Sequence, residues 1–173
     1  MLDTMFNDSP PAFPELEAVI EAAQGNLFKD NYLAPVFMYM TEDGQFNVCL
    51  ITPEVNNDKQ KLADTLKILV EKTNPVYHFL ITEAWIGRIA KQNKEEATSK
   101  LEEVTKNGVT SMPRSERDEV VVINAADKRP ESEGRWLGHF TIIRDKQDTI
   151  HNFGPTRWFK MKDSAEIKGR LII

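Results

Sequence analysis

The chain has 173 residues, 40% apolar and 28% charged, enough for one domain with a substantial core. Its net charge of −5 is uneven: residues 1–56 hold nine acidic residues and one lysine, whereas residues 111–173 hold twelve basic and ten acidic ones. No large positive field results, which makes nucleic acid an unlikely partner, and no apolar run approaches the roughly 18 residues a membrane helix needs.

Met1 to Pro14, with Pro10, Pro11 and Pro14 among small polar residues, reads as an irregular arm over 1–13, followed by a single domain over 14–173. It has no basic start or apolar run of a secretory signal, and the single cysteine, Cys49, suits a reducing compartment; a cytoplasmic location is expected. Leu16, Val19, Ile20 and Ala23 recur at helical spacing and predict a short amphipathic helix that Gly25 ends. Val36–Met40 and Phe46–Ile51 flank Asp43-Gly44, a hairpin signal. Cys49 falls mid-strand and reads as a small core residue.

A second helix is predicted over about 58–73, capped by Asn56 or Asn57, striped by Leu62, Leu66, Leu69 and Val70, and stopped by Asn74-Pro75. Val76–Trp85 is a long strand with Phe79, Ile81, Glu83 and Trp85 on one face and His78, Leu80 and Thr82 on the other. Lys91–Lys106 is strongly charged with a narrow apolar stripe, the pattern of a peripheral helix. Glu119–Ala126 and Trp136–Ile143 form a strand pair around a polar loop, with shorter strands at 149–153 and 156–161 and an apolar end, Leu171 to Ile173, able to dock as an edge strand or tail. Together these predict an α+β fold: one mostly antiparallel sheet of five to seven strands, two helices packed on one face, and the charged helix at the periphery.

Fingerprints of chemistry are missing. There is no phosphate-binding glycine loop, no nucleophile elbow, no His-Glu-x-x-His and no Cys-x-x-Cys. Two constellations, one catalytic and one for binding, remain thinkable only as dispersed sites. His78 and His139, with Glu83 as the acid, would make a small metal-dependent hydrolase or nuclease, although alternation puts Glu83 opposite His78. Arg114 and Arg117 would hold the anion of a nucleotide or other small ligand beside the charged helix. Arg135-Trp136 and Arg157-Trp158 mix cations with aromatics, the composition of a protein-binding hot spot, or else of a strand with its tryptophans in the core. No metal and no cofactor is expected. The reading that fits best is a non-catalytic interaction module with a protein partner, self-association included.

The runs Phe79-Leu-Ile-Thr-Glu-Ala-Trp85, Pro113 to Asp127 and Phe140-Thr-Ile-Ile-Arg144 give residues 34–144 a pattern that resembles small uncharacterised proteins of bacterial and phage genomes. That resemblance implies a phage or mobile-element origin and carries over no activity and no site residue.

Overall fold

The computed structural model describes residues 7–88 and 94–162. Four helices, α1 (Leu16–Asp30), α2 (Pro53–Asn56), α3 (Lys59–Thr73) and α4 (Lys94–Asn107), accompany seven strands. These are β1 (Val36–Met40), β2 (Phe46–Leu50), β3 (Tyr77–Gly87), β4 (Arg117–Asp127), β5 (Gly134–Arg144), β6 (Ile150–Phe153) and β7 (Arg157–Met161). Every ladder is antiparallel and the order is β2-β1-β3-β4-β5-β6, with β7 also pairing β5. The expected α+β class with one antiparallel sheet is therefore what the chain forms. The apolar end at residues 171–173 lies outside the described residues.

The β1–β2 hairpin turns where Gly44 takes φ 84°, a conformation that favours glycine. β6 and β7 are two pieces of one edge. They pair successive stretches of β5, His139 opposite Arg157 and Ile142 opposite Phe153, and Gly154-Pro155 breaks the ladder between them. The N-terminal segment lies along the outside of β7: Asp8 N–H donates to Trp158 O at 3.0 Å and Lys160 N–H donates to Asp8 Oδ2 at 2.8 Å. The segment continues into the core, where Phe13 stacks on Tyr77 at 4.3 Å.

Strand alternation divides the core in two. Phe79, Ile81, Val121, Ile123, Trp136, Phe140 and Trp158 join Leu16, Ala23 and Leu27 of α1. Phe37 and Leu80, directly opposite one another on β1 and β3, face the other way and pack with Leu62 and Leu66 of α3. The two leucine-bearing helices thus cover opposite faces, not the single face expected from sequence. The reason lies in β1 and β3, which are apolar at odd and even positions alike, so both of their faces need a cover. α1 also runs on past Gly25 to Asp30. Leu27 continues the Leu16–Ala23 stripe into complete burial, while a side chain at Gly25 would meet nothing within 4 Å, so the glycine costs propensity and no packing. Asn31, at φ 55°, ends the helix instead.

Candidate functional site

On the α3 side of the sheet, three rows of side chains cross from β3 to β7. Register places His78, Ala126, Arg135 and Met161 in the first, Leu80, Asn124, Leu137 and Phe159 in the second, and Thr82, Val122, His139 and Arg157 in the third. The β3 members are buried, with Leu80 under α3. The β5 and β7 members are half-buried or, for Arg135, exposed, and none of them belongs to the α3 core. The result is a partly open patch with Leu137, Phe159 and Met161 along it and a guanidinium in each outer row.

The charges that act on the two histidines of this patch are cationic. Burial lowers the His78 imidazole from 6.5 to about 4, and Lys128 and Arg135 add to the shift. Burial also lowers His139, with Arg157 beside it. The His78 ring is therefore neutral near pH 7, and the two charged side chains within the rows, Arg135 and Arg157, are both cations. The three rows contain no carboxylate.

The proposed catalytic trio does not assemble. His78 faces Ala126 and His139 faces Val122, so the two rings stand on strands separated by β4 and are displaced by four residues, roughly 13 Å along it. Glu83 is on the opposite face, in line with Phe79 and Ile81. His151 is exposed on β6. Among the described residues no group of three His, Cys, Asp or Glu side chains could hold a metal ion.

Trp136 and Trp158 are also on the α1 face, 4% and 6% exposed. They are core residues: the Trp136 indole N–H donates to Ser9 O at 3.1 Å, and Lys160 lies 5.0 Å from its ring. Their neighbours Arg135 and Arg157, one residue away on each strand, point to the other face. Of the four residues read as a mixed hot spot, only the two arginines remain at the surface.

At the far end of the α1 face lies a charged cluster. Arg144 donates from Nε and Nη2 to the two oxygens of Glu119 at 2.7 and 2.8 Å, and from Nη1 to Asn31 Oδ1 at 2.7 Å. Glu83 accepts from the Leu33 N–H at 3.2 Å. Burial raises the Glu83 carboxyl against that hydrogen bond, and Glu119 adds to the rise. Arg114 and Arg117 both stand against Trp85, 4.6 and 4.5 Å from its ring. Arg114 is also 3.7 Å from Glu119 and 3.9 Å from Asp148. Arg144 and Glu119 were not singled out from sequence. Alternation carries the signal: Arg144 follows Phe140 and Ile142 at even spacing, and Glu119 precedes Val121 and Ile123, so both belong to the buried face.

Comparison with protein families, with curated proteins and with solved structures finds no match. No described helix is long and apolar enough to cross a membrane.

Proposed function

We propose that this chain is a non-catalytic binding module that docks an acidic, partly apolar segment of a protein partner on the β4–β5–β7 patch. The observation that carries this is the three-row arrangement, in which Leu137 and Phe159 lie between rows bearing Arg135 and Arg157. Arginines beside a half-open aromatic residue supply charge-assisted hydrogen bonds and an apolar anchor in one footprint. The scattered histidines and the missing metal cluster among the described residues give no comparable support to hydrolysis.

The test is selection from a random peptide library against the purified chain, followed by titration of the recovered peptides. Acidic peptides with an apolar anchor should bind the parent and lose at least tenfold in affinity to an Arg135→Glu, Arg157→Glu double variant. Phe159→Ala should weaken them further. Peptides that bind the double variant as tightly as the parent would place the binding surface elsewhere.

A second reading, capture of a small anion, draws support from Arg114 and Arg117 flanking Trp85. Arg117 makes no carboxylate ion pair among the described residues: its guanidinium donates to Thr110 O at 2.9 Å, and its buried Nε has no hydrogen-bond partner. Phosphate or a nucleoside triphosphate should then raise the melting temperature of the parent and not of Arg117→Ala. Equal responses in the two proteins would dispose of this reading.

A further inference from the structure

The two edges of the sheet are treated differently. The β6–β7 edge is broken by Gly154-Pro155, and Asn7 and Asp8 pair along the outside of β7. β2, at the other edge, pairs only with β1 among the described residues, in constant register from Val36–Leu50 to Met40–Phe46 with no bulge. No charged residue occurs from Gly44 to Pro53, and no proline or glycine lies within β2. These are the devices by which edge strands usually avoid pairing, and β2 has none of them.

The hydrogen-bond phase shows which groups face outward. Thr41 N–H donates to Gln45 O and Ile51 N–H donates to Pro35 O, both at 2.9 Å. Alternation then turns Asn47 and Cys49 toward β1 and leaves the N–H and C=O of Phe46, Val48 and Leu50 pointing away from the sheet. Val48 and Leu50 are 60% and 68% exposed. Their side chains stand on the α1 face, opposite Met38 and Val36.

We infer that β2 pairs with β2 of a second copy of this chain, antiparallel about a twofold axis at Val48. The strand is its own complement. Val48 is the central residue of five, so the axis sets Val48 against Val48 and Phe46 against Leu50, each with its backbone groups turned outward. An identical neutral strand meets no like charge within the ladder, and Val48, Leu50 and Phe46 form one apolar strip across the seam. A hairpin-sized seam buries less than a standard interface, so the dimer forms with rising concentration and is not permanent. This surface is separate from the β4–β5–β7 patch, and the fate of either proposal leaves the other standing.

Sedimentation of the full chain over a concentration series up to the millimolar range tests the inference. The parent should shift from monomer to dimer. Val48→Lys, which puts a charge on each side of the axis at a solvent-exposed position, should remain monomeric at every concentration. Val48→Pro, which removes an outward N–H and spares the bonds to β1, should do the same, and Val48→Thr should still dimerise. If Val48→Pro fails to fold, Val48→Lys decides alone. A parent that is monomeric throughout, or a dimer that Val48→Lys leaves intact, would overturn the inference.

Discussion

Trp158 lies across Gly138, the residue opposite it on β5, with its indole carbons 2.5–2.8 Å from where a Cβ on that glycine would stand. The ring occupies the space that any other residue would fill. Gly138→Ala must therefore push a buried tryptophan out of its seat, and overpacking of this kind costs about 1–3 kcal/mol. Equilibrium unfolding in urea, followed by tryptophan fluorescence, should show the loss together with a changed native emission spectrum. An unchanged midpoint would mean that Trp158 is seated elsewhere.

Much of the fold can be read from local chemistry. Asp43-Gly44 announces the β1–β2 turn, and Asn74-Pro75 ends α3 where expected. The cap of α3 is Asp58 and not Asn56 or Asn57: its carboxylate accepts from the Gln60 and Lys61 N–H groups at 3.0 and 3.2 Å. Those asparagines instead belong to α2 and its end, a separate turn begun by Pro53. What local chemistry does not give is tertiary allocation. Nothing in the α1 or α3 stripe states which sheet face it will meet. Nor does the dipeptide Arg135-Trp136 state which residue points inward; that follows only when the strand is seen to alternate around Phe140 in the core. The arm at residues 7–13 is irregular, as its prolines require, yet Phe13 is buried, and no periodic pattern marks so isolated an anchor.

Glu119 and Arg144 make a bidentate pair whose side chains are 13% and 11% exposed, so neither charge can relax fully into water. Arg144→Met should destabilise the chain by about 2–3 kcal/mol, the scale of charge-assisted hydrogen bonds. Because the loss comes from a stranded carboxylate, the double variant with Glu119→Gln should be less harmed than Arg144→Met alone. Hydrogen bonding to Arg144 holds the Glu119 carboxyl below its ordinary value against the opposing effect of burial. The stability it contributes is present above the unfolded carboxyl pKa and is lost as pH falls through the folded one.

Glu83, next to that pair, has the opposite sign. Burial raises its folded pKa, so its charged form lowers stability at neutral pH, and protonation relieves that cost as pH falls through the folded value. Glu83→Gln retains an oxygen to accept the Leu33 N–H and removes the charge. It should raise the urea midpoint at pH 7 and make no difference in acid. A lowered midpoint at pH 7 would show that the carboxylate is needed as an anion.

Asp127 joins the β4–β5 loop to the N-terminal segment. Its fully buried carboxylate accepts from Arg129 N and Nε at 2.9 and 3.0 Å through one oxygen, and from Arg129 Nη2 and Ser132 Oγ at 2.9 and 2.7 Å through the other. Arg129 in turn lies 4.6 Å from the Tyr77 ring and donates to Ala12 O at 3.0 Å. Asp127→Ala should cost about 3 kcal/mol, as for removal of one partner from a buried pair. It should also speed amide hydrogen exchange around Phe13 more than around β1. Equal effects at the two places would mean that the arm is held independently of Asp127.

His78 sets a pH dependence that falls in the mildly acid range. Its ring is 4% exposed, 5.5 Å from Phe37, and titrates at about 4 in the folded chain against 6.5 when free. Above the free value both states are neutral and stability is complete. Between 6.5 and about 4 only the unfolded chain takes up the proton, so stability falls as pH falls, by a total on the order of 3 kcal/mol. His139 acts in the same direction. Replacement by a residue of similar size that does not titrate, His78→Leu, should flatten most of the decline in urea midpoint across this window, and the His78 ring protons should show no shift by NMR until pH approaches 4. Titration of His78 near 6.5 in the folded chain would mean that the ring reaches water, and that α3 does not seal this side of β3.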